Sequence, residues 1–375
     1  MGYKSGEYKQ QYQYKSFMPV FINKSYQWSD PKINVLLEDA RGALGELNAF
    51  SKVIPDIEVF IQIYMSKEAV ESGRIEGTKT ELDEIMLPIE EIAQEKKDDW
   101  HEVKNYIKAM NEAIEELKKL PISMRLVCKA HKTLLKGVRG KNKLPGEIRK
   151  SQNWIGGSSI RDARFIPPHK DDLPELISDL EKFINNKNLE MPELIKIAMT
   201  HYQFETIHPF CDGNGRIGRL LITLQLIENG FLERPTLYIS DFLAKNKEAY
   251  YEGLTAVRES NDIEHWIKFF LNGILETSKS SIEKFKKIIK IKDKYEKQLL
   301  NIGTRAKIGK DLLNILYSNI FIDTNEVVEK LNLSYPRAQR LINDFVKIGI
   351  LEELSKKKRR HKRYYFEEYL NIFLD

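Results

Sequence analysis

Twelve residues constrain this chain more than any other stretch: His208-Pro209-Phe210-Cys211-Asp212-Gly213-Asn214-Gly215-Arg216-Ile217-Gly218-Arg219. Pro209 drives its predecessor out of the α-region, so a helix must end near His208. Asp212 is then placed to N-cap a new helix. Ile217, Leu220, Leu221 and Leu224 recur at the spacing of that helix's buried face. Gly213 and Gly215 let backbone N–H groups approach an anion closely, and a glycine-rich entry to a helix N-terminus is a ready phosphate site. At about 100° per residue, Arg216 and Arg219 fall away from the buried face, near the open end of the helix. Two arginines beside such a nest suit a polyphosphate better than a single carboxylate. Asp212 can offer an oxygen to Mg²⁺, which usually bridges substrate phosphates with one or two protein carboxylates. His208 can accept a proton near neutral pH. Together these parts describe metal-assisted attack on a nucleotide phosphate with His208 as general base.

The rest of the first 300 residues reads as an all-helical body. Ile33, Leu36, Leu37 and Ala40 mark one helix face, and Pro55-Asp56 opens a second helix running toward Gly77. Further helices are expected over Trp100 to Leu117, Ser123 to Leu135, Leu173 to Ile184, Pro192 to Ile207, Gly213 to Glu228, Ser240 to Glu259 and Ile263 to Leu300. One β-excursion, Ser158 to Ile166, lies between Gly156-Gly157 and Pro167-Pro168 and is short enough for a hairpin. Residues 1 to 30 lack apolar periodicity and read as a loosely attached arm. His131 and His201 sit in helical patterns as core or surface histidines.

The tail has a different plan. Leu312 to Phe321 is one helix, Thr324 caps a second, and Ser334 caps a third with Ala338, Leu341, Ile342 and Phe345 on its inner face. Strands at Ile350 to Leu354 and Tyr364 to Phe366 flank the basic run Lys356 to Arg363. Three helices and a basic hairpin resemble a winged helix-turn-helix domain. From Arg305 to Asp375 there are 14 Lys+Arg against 10 Asp+Glu, a net of +4, out of +5 for the whole chain. Any electrostatic affinity for DNA therefore resides here, across 334 to 363. A solvated loop is the alternative reading of the run.

No apolar stretch reaches the roughly 18 residues of a membrane span, and the N-terminus lacks a secretory core. Cys128 and Cys211 are isolated, without a CxxC, so neither a zinc site nor a disulfide framework is expected. A reducing cytoplasm is the expected compartment.

The twelve-residue segment resembles the signature of the Fic family, HPFx(D/E)GNGRxxR, at every specified position. The resemblance extends to Leu144-Pro145-Gly146-Glu147-Ile148-Arg149 and Gln152-Asn153-Trp154-Ile155-Gly156-Gly157, and spans roughly residues 30 to 300. It implies a helical bundle with a small β-hairpin flap, and an enzyme that transfers AMP from ATP onto a target hydroxyl and releases pyrophosphate. On that resemblance His208 is the base and Asp212 holds Mg²⁺. Gly213, Asn214 and Gly215 form the anion hole, Arg216 and Arg219 hold the β- and γ-phosphates, and Ile217 and Gly218 complete the ATP-binding turn. Tyr251 lines the adenine pocket, while Arg258 stands where some members carry Asn. The flap, 158 to 168, docks an extended segment of a target protein, with self-modification and a homodimer as further possibilities.

Ser72-Gly73-Arg74-Ile75-Glu76-Gly77 is similar to the family's inhibitory pattern (S/T)xxxE(G/N). Ser72 and Glu76, four apart, share one helix face. The resemblance implies that Glu76 competes with ATP for Arg219. The expected domains are 1–95 with the inhibitory motif, 96–275 as the catalytic core, 276–304 as a linker helix, and 305–375 as the winged domain. Alternatives from other classes are a DNA-binding regulator using the core as nucleotide sensor, removal of AMP, or transfer of another group.

Overall fold

The computed structural model describes residues 3–53, 57–138, 140, 142–354 and 362–374. Pro55, Asp56 and the Lys356 to His361 part of the basic run lie outside the described residues. Two compact units emerge, neither a single stretch of chain: Met1–Asn48 with Met65–Lys279, and Ala49–Tyr64 with Ser280–Asp375.

The first unit begins with β1 (Gly6–Gln10) and β2 (Lys15–Pro19), an antiparallel pair where the sequence suggested a loose arm. A few buried groups are responsible. The Phe17 ring packs against Tyr8 and Phe165 at 5.2 and 6.0 Å, its N–H donates to Ile166 O at 2.9 Å, and Ile22 is buried as well. Each such burial is worth about 1.5–3 kcal/mol, yet so few positions leave no periodic trace in sequence.

The helices follow as α1 (Lys32–Val53), α2 (Ile57–Ile75), the short α3 (Leu82–Ile85), α4 (Lys97–Leu117), α5 (Met124–Leu134), α6 (Leu173–Asn185), α7 (Glu193–Ile207), α8 (Asn214–Glu228), α9 (Ser240–Lys245), α10 (Lys247–Ser260) and α11 (Ile263–Leu299). The single helix expected over Ser240 to Glu259 breaks at Asn246, whose backbone leaves helical geometry and whose Nδ2 caps Phe242 O at 2.9 Å.

Helix α7 runs through the centre, with every residue from Leu194 to Ile207 buried. A helix covered all round must satisfy its polar side chains internally. His201 therefore bridges Gly218 O (3.1 Å) and the Tyr250 hydroxyl (2.9 Å), and Gln203 donates to Val20 O at 2.9 Å. The β-excursion is smaller than a two-stranded hairpin. A single bridge joins Ile155 to Phe165, and Asp162 folds the tip by accepting from the N–H and hydroxyl groups of Ser158 and Ser159. Gly156 and Gly157, at φ +70° and +75°, supply the left-handed turn that ends pairing.

The second unit contains α12 (Ala306–Ser318), β3 (Phe321–Asp323), α13 (Thr324–Leu331), α14 (Tyr335–Lys347), β4 (Glu352–Glu353), β5 (Arg363–Tyr365) and α15 (Glu367–Leu374). Its sheet runs β3-β5-β4, all antiparallel. Phe321 was expected inside the first tail helix but pairs with Tyr365, because α12 stops at Ser318 and the chain turns at buried Ile320 into the strand Phe321–Asp323. Asp323, not Thr324, caps α13, in a reciprocal box with Glu326. Among the described residues no helix is long and apolar enough to cross a membrane.

Candidate active site

The site is the corner where α7 hands over to α8. His208 ends α7 at φ 52°, ψ 60°, a left-handed conformation unusual for a residue with a Cβ. Arg149 holds it there. Its backbone N–H donates to Pro209 O at 2.9 Å. Its buried guanidinium donates to His208 O (2.9 Å), Ser151 O (3.1 Å) and Pro168 O (2.6 Å). One side chain thus ties the turn at His208 to Pro168 at the end of the β-excursion, and burial pulls its pKa down to about 10.

Asn214 closes the turn from the other side. It accepts from Phe210 N (2.9 Å) and donates to Phe210 O (2.8 Å), which Asn153 also caps at 3.0 Å. The Phe210 ring stacks on His131 at 3.9 Å between centroids. Gly146 N donates to His131 Nδ1 (2.8 Å), so Nε2 carries the proton given to Asp212 O (2.9 Å). Burial keeps this imidazole neutral, with a pKa near 4. His131, Arg149 and Asn153 are thus part of the site's frame, a role that helical patterning gave no means of assigning.

Gly213, at φ +76°, is the N-cap of α8, in place of the expected Asp212. The left-handed turn needs a residue without a Cβ. Asp212 instead accepts from Gly213 N–H at 2.6 Å. The N–H groups of the first turn of α8 have no intrahelical acceptor and point out of the helix end.

Arg216 and Arg219 do not lie on an open face as the helical wheel suggested. Both are buried, because charged partners come from distant helices. Arg216 Nη1 donates to Glu102 of α4 at 2.9 Å, and its Nη2 lies 3.8 Å from Asp212. Its Nε has no partner among the described residues. Arg219, 1% exposed, donates to Ser72 Oγ (2.8 Å), Ser72 O (2.9 Å) and Glu76 Oε1 (2.7 Å). Burial alone would raise the Glu76 carboxyl, but the Arg219 guanidinium outweighs it and holds the group below its usual range. The same carboxylate keeps Arg219 charged against its own desolvation.

Glu76 also covers the helix entry. A Cβ added at Gly215 would collide with Glu76 Oε1 and sit 3.0 Å from Arg219 Nη1. The Glu76 carboxylate therefore occupies the place where a helix N-terminus and an arginine would receive an anionic phosphate oxygen.

His208 points Nδ1 at Glu205 O, 3.4 Å away. A carbonyl only accepts, so Nδ1 carries the proton and Nε2 keeps its lone pair. Burial lowers the His208 pKa to about 4. Glu205 has its own pKa pushed up by burial to about 7, and its Oε1 has no partner among the described residues. A single glutamate in an apolar helix carries no sequence signal of such a position.

The remaining expected residues are distributed around this corner. Tyr250 is buried against His201, while Tyr251 is 43% exposed beside it. Arg258 lies 3.8 Å over the Phe165 ring of the flap and reaches Thr206 Oγ1 at 3.4 Å. Ile217 is core, and a Cβ at Gly218 would meet Glu205, so these two positions face the packing rather than the helix entry.

Asp212 is the carboxylate available to a cation, with its side chain 42% exposed. No group of three or more His, Cys, Asp or Glu gathers into a metal site among the described residues. A single half-exposed carboxylate fits Mg²⁺ carried in largely by substrate phosphates.

Comparison with known proteins places this corner inside a family segment. Residues 35–115 match the Fic/DOC family N-terminal region and residues 121–226 match the Fic/DOC family. A probable protein adenylyltransferase of Aquifex aeolicus (strain VF5) is 28% identical over 207 residues, 55% of this chain and 58% of that protein. The protein adenylyltransferase Fic of Aedes aegypti is 34% identical over 125 residues, 33% of this chain and 22% of that protein. The chain thus covers less than two thirds of either relative. A crystal structure of a Fic family protein from Desulfovibrio desulfuricans G20 has the same fold, with a TM-score of 0.59 at 20% identity over 92% of this chain and 98% of that one. A Fic domain containing signaling protein from Bacteroides thetaiotaomicron gives 0.52 at 18% identity, over 68% and 96%.

Proposed function

We propose that this chain, which belongs to the Fic/DOC family over residues 35–226, transfers AMP from ATP to a hydroxyl side chain of a target protein and is restrained by Glu76. The carrying observation is the neutral His208 imidazole, tethered at Nδ1, beside the first turn of α8, whose entry the Glu76 carboxylate covers. Nε2 takes the proton of the target hydroxyl. The oxygen forms a bond to the α-phosphorus as the bond to the bridging oxygen of the β-phosphate breaks, and pyrophosphate leaves. The α8 entry and Arg219 would hold the triphosphate tail, with Arg216 beside them. Asp212 would hold Mg²⁺, which when bound offsets phosphate charge.

Intact-mass spectrometry tests the reaction. Incubation with ATP, Mg²⁺ and cell extract is expected to add one AMP unit to a target or to the chain itself. Mass gain of any other group, or of none, removes the proposal. A target segment docking beside the flap, and residence in a reducing cytoplasm, where the free Cys128 and Cys211 stay reduced, are parts of the same reading.

A second partner is suggested by the other unit. Helices α13 and α14 are separated by 332–334, a spacing that suits a helix-turn-helix, and α14 turns Arg337, Arg340, Asn343 and Lys347 outward. Arg337 and Arg340 line a cleft of about 520 Å³ together with Lys307, Asp311 and Arg305, the last paired with Asp344 at 2.7 Å. This surface suits duplex DNA. The full chain should bind a random 20-bp duplex with affinity that falls steeply with salt. The Arg337→Ala/Arg340→Ala double variant should flatten the log–log slope by about two. Absence of binding at low salt excludes DNA.

A further inference from the structure

The last turn of α2 presents four backbone carbonyls, and each has an acceptor's role. Gly73 O accepts from Glu76 N (2.9 Å) and Thr78 N (3.1 Å), and Arg74 O accepts from Gly77 N (3.1 Å), all within the turn. The other two are held by cations from elsewhere. Arg219 Nη2 donates to Ser72 O at 2.9 Å, and Lys247 Nζ donates to Ile75 O at 2.7 Å. Cations at a helix C-terminus meet both the unpaired carbonyls and the negative end of its dipole.

The two clamps have different fates. Arg219 is the group a triphosphate would claim, so its hold on α2 weakens as substrate arrives. Lys247 is not part of the α8 entry. It opens α10, three residues before Tyr250, whose hydroxyl is bonded to His201, itself bonded to Gly218 O. Lys247 therefore projects from an anchored base and grips the residue directly before Glu76.

We propose that Lys247 is a positioning residue for autoinhibition: by holding Ile75 O it keeps the end of α2 in register, aiming the Glu76 carboxylate at Arg219 and the entry of α8. The inference rests on the reading that Glu76 restrains transfer. It also makes α10, the helix of Tyr251, a structural link between the nucleotide's side of the site and the inhibitory helix.

The test compares full-length wild type with Lys247→Met, Lys247→Arg, Glu76→Gly and the Lys247→Met/Glu76→Gly double variant. Readouts are incorporation of labelled AMP, KM for ATP, and hydrogen exchange at the amides of 76–78. Lys247→Met is expected to raise basal incorporation roughly tenfold, the scale of one charge-assisted hydrogen bond. The gain should come mainly from a lower KM, with faster exchange confined to 76–78 and an unchanged melting temperature. Lys247→Arg should restore the wild-type values, and the double variant should match Glu76→Gly. Wild-type incorporation and exchange in Lys247→Met, beside an activated Glu76→Gly, overturns the proposal. So does activation that adds to that of Glu76→Gly. If Glu76→Gly is itself not activated, the reading of Glu76 fails and Lys247 loses its role with it.

Discussion

Glu76→Gly is expected to raise AMP incorporation by about ten- to a hundredfold, with the KM for ATP falling as well. In the resting protein Arg219 is buried, with its Nε and Nη2 held by Ser72 and Glu76. A triphosphate tail must expel the Glu76 carboxylate before it can use that guanidinium and the first turn of α8. Because the phosphate replaces the lost partner, the net cost is that of exchanging one charged hydrogen bond for another, about 1–3 kcal/mol. Removing the carboxylate removes that competition, while the two contacts from Ser72 still hold Arg219 in place. Glu76→Gln separates charge from shape. It keeps an acceptor oxygen without the ion pair, and should fall between wild type and Glu76→Gly. Incubation of the three proteins with labelled ATP and Mg²⁺ gives the ranking directly, and equal incorporation by all three ends the claim of inhibition.

What could be read from sequence here was local. A proline after a histidine, two glycines and a run of leucines describe a helix, a turn and another helix within one short segment, and the corner has that form. The same locality set the limits. Arg216 and Arg219 were placed outward because a helical wheel knows only its own helix. They are buried because Glu102 lies 114 residues away and Ser72 lies 147 residues away. Nothing in the spacing of either arginine encodes those partners. Gly213 replaced Asp212 as the cap because the chain enters α8 through a left-handed residue, which glycine adopts without cost. The frame of the turn was equally hidden. Arg149 acts entirely through backbone carbonyls, which any sequence supplies, so the motif that contains it did not show what it holds. The β1–β2 pair failed for a related reason, since Phe17 gains its burial from Phe165, far along the chain. Glu205 shows the remaining class, a polar residue whose unusual environment exists only once α8 and α10 have packed around it.

His208→Ala is expected to reduce transfer by about 10²–10⁴-fold in the Glu76→Gly background, the usual contribution of a positioned general base. Nucleotide binding should survive, because the α8 entry, Arg216 and Arg219 are untouched. The pH profile adds a sharper requirement. A histidine lowered to about 4 is neutral, and so able to accept a proton, throughout the range above that value. Protonation would abolish the base, so activity should be lost only as pH falls through the folded pKa. Burial is the chief cause of the lowering, and the Glu76 charge works in the opposite direction. Removing Glu76 therefore moves the acid limb no higher. In Glu76→Gly, the acid limb of kcat/KM assigned to His208 should be absent between pH 8 and pH 5. An unperturbed histidine of pKa about 6.5 would already have lost roughly thirtyfold at pH 5. A limb near 6.5 that vanishes in no other variant would mean that His208 is solvated in the working enzyme, and that the closed corner at the end of α7 opens before the hydroxyl arrives. Full transfer by His208→Ala would remove the base itself and leave phosphate positioning as the whole of the catalysis.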